Sequence, residues 1–120
     1  LGNDQGKIVS DGILVKTGEN RYRALCLPFL PMVKQNEAGL DLSITDLTGQ
    51  IGFYQFCGPR TLELMENVTC QNLHDLAFMH YTAVKVDGMP AYVFRVGMAG
   101  TLGYELHFDI ENADAIYRKV

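Results

Sequence analysis

The chain has little of what several protein classes require. Its 120 residues include three cysteines, Cys26, Cys57 and Cys70, set far apart. An odd count without a Cys-x-x-Cys pair argues against a disulfide framework and against a zinc site. Two of the three lie in apolar, strand-like contexts and read as buried free thiols. Basic residues are also scarce, ten Lys and Arg against fourteen Asp and Glu, for a formal net charge of −4. With no basic surface, nothing points to nucleic acid as a partner. No apolar run is long enough to span a bilayer and no stretch reads as a signal peptide, so no membrane association is expected and the cytoplasm is the expected compartment. His74, His80 and His107 lack metal-ligand spacing. No Ser-His-Asp set or Cys-His pair is present, and there are no internal repeats, low-complexity tracts or charge blocks.

What remains is ordinary globular composition, 48% hydrophobic and 20% charged. That suffices for one modest core in one domain's worth of chain. The sequence opens on Leu1-Gly2-Asn3 and stops at Val120 inside an apparent helix. The expectation is a piece of a larger protein, with residues 1–120 forming part of one domain.

Hairpins alternate with short helices. Ile8-Val9 and Ile13-Leu14-Val15 are apolar and β-branched, Thr17-Gly18-Glu19-Asn20 signals a turn, and residues 22–27 form the expected return strand. Pro28 and Pro31 bracket a helix start, with the helix running to about Ala38 and Gly39 as its cap. Leu40, Leu42 and Ile44 alternate with polar residues and predict a strand that turns at Thr48-Gly49-Gln50 and returns over 51–56. Gly58-Pro59 opens a helix burying Leu62, Met65 and Val68. Residues 81–86 and 91–96 flank Asp87-Gly88, a strong tight-turn signal. Ala113, Ile116, Tyr117 and Val120 sit at i, i+3, i+4 and i+7 and predict an amphipathic closing helix. The fold class is α+β, antiparallel hairpins with interleaved short helices.

The densest signal is Arg95-Val96-Gly97-Met98-Ala99-Gly100-Thr101-Leu102-Gly103-Tyr104-Glu105-Leu106. Its glycines read G-x-x-G-x-x-G and lead into a strand, unlike the dinucleotide-binding fingerprint, which leads into a helix. On that strand Tyr104, Leu106 and Phe108 face a core, while Glu105 and His107 share the other face. A carboxylate there suits a flat, donor-rich edge that offers two parallel hydrogen bonds. The pattern alone favours a plain surface glutamate on a half-exposed strand over a binding role. His107 could serve the site, but a solvated or hydrogen-bonded structural histidine is the favoured reading. Arg95 and Arg60 flank glycine turns and read as ordinary, partly exposed arginines.

This stretch resembles the signature of the folate-binding aminomethyltransferase family, which includes the glycine cleavage T-protein and the tetrahydrofolate-dependent O- and S-demethylases. Three further segments match in order: Gly6-Lys7-Ile8-Val9-Ser10-Asp11-Gly12, Gln55-Phe56-Cys57-Gly58-Pro59-Arg60, and Asn72-Leu73-His74-Asp75-Leu76-Ala77-Phe78-Met79-His80-Tyr81. Members are roughly three times as long as this chain. The resemblance implies tetrahydrofolate as cofactor, bound through its pterin edge by Glu105, with the loop at 97–103 letting the backbone approach the ligand closely. It also places Ser10, Leu27 and Met98 at the folate site. Ser10 stands where the T-protein has the first Asp of an Asp-Asp pair, and a serine cannot supply a negative charge to a developing cationic centre. Asp11, its neighbour on an extended chain, points the opposite way. Leu27 replaces an amide. Met98 replaces an aromatic and suits either an apolar ligand or core filling.

These departures are more similar to the O-/S-demethylase branch. They imply transfer of methyl from a small-molecule O- or S-methyl donor to tetrahydrofolate. The alternatives are a true aminomethyltransferase served by a lipoylated carrier protein, a non-catalytic folate-binding module, or a scaffold domain fused to a dehydrogenase. The sequence identifies no catalytic acid.

Overall fold

The computed structural model describes residues 2–26, 31, 33–34 and 38–120. The chain divides into two compact units, Leu1–Asp46 and Leu47–Val120, and is α+β with antiparallel sheets and short helices.

The first unit is built on a hairpin of β1 (Gly12–Gly18) and β2 (Arg21–Cys26). The pairing runs from Gly12 opposite Cys26 to Gly18 opposite Arg21, with an irregularity between Lys16 and Gly18. Glu19 and Asn20 supply the turn, within the Thr17–Asn20 stretch whose composition predicts it. Ile8 forms only an isolated bridge to Gly2, and both Ile8 and Val9 are exposed. Two apolar residues without a paired neighbour do not make a strand. The bridge is closed by Asn3, whose side-chain oxygen accepts from the backbone N–H of Gln5 and of Lys7, both at 3.0 Å. The helix expected up to Ala38 falls largely outside the described residues.

The second unit is a four-stranded sheet in the order β3 (Ile51–Cys57), β6 (Gly103–Asp109), β5 (Met89–Phe94), β4 (Tyr81–Val86). The helix α1 (Thr61–Thr69) packs on β4 and β6. A 3-10 turn (Ile110–Asn112) leads into the short helix α2 (Ala113–Tyr117). The β4–β5 hairpin turns at Asp87 (φ 50°) and Gly88 (φ 84°), the two positive φ values of a type I′ turn.

Two expectations are corrected here. Residues 40–45 carry no strand, and Leu40, Leu42 and Ile44 are exposed. The partner of β3 is β6, in register from Ile51 opposite Asp109 to Cys57 opposite Gly103. Alternation prepares a strand but does not choose its partner. The closing helix is shorter than its pattern: Ile116 is fully buried, but Tyr117 and Val120 are exposed. The helix ends at Tyr117, so Val120 is not carried onto the helical face. Tyr54 anchors it by donating its hydroxyl hydrogen to the Ala113 carbonyl at 3.0 Å.

One face of the sheet makes the core. Tyr104, Leu106 and Phe108 of β6 meet Ala91 and Val93 of β5, with Met65 of α1 and Ile116 of α2 above them. Leu62 and Val68 pack at its margin. Cys57 and Cys70 are free and exposed, which corrects the burial expected for a strand cysteine at position 57. Cys57 ends an edge strand opposite the glycine of β6, so no cross-strand side chain covers it.

Burial raises the Tyr104 hydroxyl above its ordinary value of 10.0; Arg95 opposes the shift and Glu66 adds to it. A raised value in the folded state means that the unfolded chain loses this proton first as pH rises. The stability Tyr104 contributes is therefore intact below pH 10 and is lost as pH rises through the folded value. The expected result is a urea midpoint that falls above pH 10, and less steeply in Tyr104→Phe. Parallel falls in the two proteins would refute this.

Candidate functional site

Three of the four matched segments lie in the second unit, where the backbone joins them. The Gly58 N–H donates to the Leu102 carbonyl at 2.9 Å, tying the Gly-Pro turn to the glycine loop. Arg95, at the loop's other end, holds the 72–81 segment. Its Nη1–H donates to the Leu76 carbonyl at 2.8 Å, and its backbone exchanges hydrogen bonds with Met79 and His80. Arg95 is thus a structural clamp. Arg60 forms a bidentate pair with Glu63 at 2.9 Å on the open surface. That pair raises the arginine and lowers the glutamate through its hydrogen bonds and charge.

The spacing of the loop glycines has a specific cause. A Cβ on Gly103 would lie 2.8 Å from the Val96 carbonyl oxygen and 3.1 Å from the Gly97 Cα. Gly97 and Gly103 close the neck of the loop by backbone contact. Gly100, at φ 69°, takes the left-handed conformation at its tip. The glycines thus serve a close approach between two stretches of the loop's own backbone, which is distinct from the approach to a ligand that the resemblance implies. Met98 stands on this loop and is 92% exposed, so the core-filling reading is set aside.

From this neck β6 delivers Glu105 onto the face opposite the core. It sits across from Gln55 of β3 and Phe94 of β5. His107 Nε2 lies 2.9 Å from Glu105 Oε2. A carboxylate only accepts, so Nε2 carries the proton and donates it. The His107 side chain is 2% exposed and that of Glu105 15%. The imidazole lies between Phe53 (centroids 5.4 Å apart) and Phe94 (4.3 Å), and Phe94 stacks on Tyr81 at 5.0 Å. A row of rings thus crosses all four strands, with one oriented carboxylate beside it. Glu105 Oε1 makes no hydrogen bond among the described residues. Oε2 keeps a second lone pair, so the group retains acceptors for a pair of donors.

Ser10 belongs to the first unit. It is buried and its Oγ–H donates to the Asp11 carbonyl at 3.5 Å, while Asp11 is exposed. Leu27 lies outside the described residues. Phe53, Phe94 and Tyr81 were not read from the sequence as part of this face. Their signal is the β3–β6 and β5–β6 register, which local pattern does not carry. Among the described residues, no group of His, Cys, Asp and Glu could hold a metal ion, and no helix is long and apolar enough to cross a membrane.

The second unit thus presents a strand-borne carboxylate beside a glycine-necked loop. The chain belongs to the GCVT N-terminal domain family, which matches residues 1–120. It is 34% identical to the sesamin methylene transferase of Sinomonas sp. over all of its own length and 26% of that protein's. It is 23% identical to the aminomethyltransferase of Moorella thermoacetica, over 96% of this chain and 33% of that one. It is 28% identical to human mitochondrial dimethylglycine dehydrogenase over 68% of this chain and 10% of that one. The chain thus spans between a tenth and a third of these relatives.

Proposed function

We propose that residues 1–120 form part of the folate-binding domain of a tetrahydrofolate-dependent one-carbon transferase, of the kind that moves methyl from an O- or S-methyl donor. The observation that carries this reading is Glu105. Its carboxylate is oriented by His107, partly exposed, and beside a row of aromatic rings. The pterin of folate presents an amide N–H next to an amino group, and a carboxylate matches that edge with two hydrogen bonds. The free acceptors of Glu105 fit that edge.

Tetrahydrofolate, when bound, supplies N5 as the acceptor of the carbon. Glu105 holds the far edge of the ring, and the loop at 97–103 presents Met98 to the surrounding space. Alignment of the two reacting atoms is then the main contribution of this chain. As N5 takes the methyl it gives up its proton; an ether oxygen leaves as an alkoxide or phenolate that takes a proton up, whereas a sulfonium sulfur leaves as a neutral thioether. Ser10 favours methyl over aminomethyl transfer, because it offers no carboxylate to a cationic one-carbon unit. The likeness to a protein named as a methylene transferase agrees with a donor other than an aminomethyl carrier. The aminomethyltransferases among the relatives support a second reading, in which a lipoylated carrier delivers the carbon.

The full-length protein, incubated with tetrahydrofolate and three donors, separates these readings. The donors are a methoxybenzoate, a dimethylsulfonium compound and an aminomethyl-lipoyl carrier protein. The expected product is 5-methyltetrahydrofolate from one of the first two, followed by mass spectrometry. Methylenetetrahydrofolate from the carrier would overturn the methyl assignment. Folate binding without turnover of any donor would favour a binding module.

A further inference from the structure

We propose that His107 is the positioning residue of this site, holding the Glu105 carboxylate in its ligand-ready orientation before any ligand arrives. The inference rests on the pterin reading of Glu105 and adds a residue to it.

Three observations carry it. The first is the hydrogen bond itself, 2.9 Å between His107 Nε2 and Glu105 Oε2, made between neighbours on one face of β6. The second is confinement. The imidazole is 2% exposed and lies between the rings of Phe53 and Phe94. The ring therefore cannot turn away, and its Nε2–H stays aimed at one place. The third is the other ring nitrogen. His107 Nδ1 is buried and has no hydrogen-bond partner among the described residues.

That third observation decides the reading. A buried polar atom without a partner costs free energy. An aromatic hydrocarbon ring would lie between Phe53 and Phe94 without that cost. Among the described residues the imidazole of His107 pairs one nitrogen only, and its partner is Glu105. The polar function of the ring is therefore the hold on the carboxylate.

The benefit to binding is entropic. A glutamate has three side-chain torsions, and fixing a long side chain on binding costs conformational entropy. His107 fixes Glu105 in the free protein, so the ligand does not bear that cost. It uses one lone pair of Oε2 to do so and leaves the remaining acceptors of the carboxylate for the ligand's donors. Losing that preorganisation weakens binding by about two- to tenfold.

The test uses the full-length protein with tetrahydrofolate as the probe. Affinity is measured by titration, and KM and kcat with whichever donor turns over. His107→Phe keeps the stacked ring and removes the donor. It is expected to raise Kd and KM for tetrahydrofolate, while kcat at saturating folate stays near wild type. His107→Gln returns an N–H near the position of Nε2 and is expected to recover most of the affinity. In a Glu105→Ala background, His107→Phe is expected to have no further effect. Should His107→Phe fail to fold, His107→Asn replaces it, since its shorter amide does not reach Glu105. Wild-type affinity in His107→Phe or His107→Asn, with affinity lost in Glu105→Ala, would overturn the positioning role and leave the pterin reading intact. Wild-type affinity in Glu105→Ala would overturn the pterin reading, and this inference with it.

Discussion

Glu105→Gln in the full-length protein loses tetrahydrofolate affinity by about a hundredfold or more while the domain keeps its stability. Each hydrogen bond to a charged group is worth about 1.5–3 kcal/mol. Two of them lost together exceed two decades in affinity at about 1.4 kcal/mol per decade. Glutamine is the informative replacement because of His107. Its carbonyl oxygen can still accept from His107 Nε2 at the place where Oε2 now does so at 2.9 Å. Its NH2 group, however, presents donors to the donors of the pterin edge. Glu105→Ala loses binding too, but it also leaves both nitrogens of a buried imidazole without partners. That variant is expected to be less stable by about 1–3 kcal/mol. Calorimetric titration beside thermal unfolding separates the two effects. Unchanged affinity in Glu105→Gln would remove this carboxylate from the site.

Gly103→Ala unfolds at a markedly lower temperature. The added methyl would meet the Val96 carbonyl oxygen at 2.8 Å, the Gly97 Cα at 3.1 Å and the Phe56 carbonyl oxygen at 3.6 Å. All three are backbone atoms, so no rotamer change relieves the clash. Either β6 or the Val96-Gly97 turn must shift, and overpacking of this kind costs about 1–3 kcal/mol. For a unit of this size each kcal/mol lowers the melting temperature by about 4–8 °C. The site suffers as well, because Gly103 immediately precedes Tyr104 and Glu105 on the strand that aims the carboxylate. Gly100→Ala is the comparison. It has open space around its Cβ but a φ of +69°, so only backbone strain opposes it. The expected order of stability is wild type, then Gly100→Ala, then Gly103→Ala. The reverse order would show that loop conformation, and not the neck, sets the stability of this segment.

Much of the site's setting was legible because it is local. Asp87-Gly88 between two apolar runs reads as a hairpin, since two residues with positive φ need little beyond their own chemistry. The alternation from Tyr104 to Phe108 separates a core face from a second face with no knowledge of neighbours. The structure keeps that division, with Tyr104, Leu106 and Phe108 in the core and Glu105 on the far side. His107 reads as a solvated or hydrogen-bonded histidine; the structure makes it the hydrogen-bonded one, with Glu105, its neighbour two residues back on the same face, as partner. Leu40 to Ile44 show the limit of the same method. Their alternation is as regular as that of β6, yet they remain outside any strand.

The sequence by itself determined the strand that carries Glu105, the face on which it stands, the tight β4–β5 turn and the glycines of the loop before it. These follow from side-chain periodicity and from the φ and space a backbone needs, which neighbouring residues decide among themselves. Only the tertiary structure decided that β3 pairs with β6 some fifty residues later, and so sets Phe53 against His107. It also decided that Gly97 and Gly103 meet as backbone, and that Arg95 clamps the 72–81 segment. Pairing between distant strands depends on hydrogen bonds that any extended segment can offer. The choice among such segments is made by the packing of the whole sheet, and no local pattern contains it.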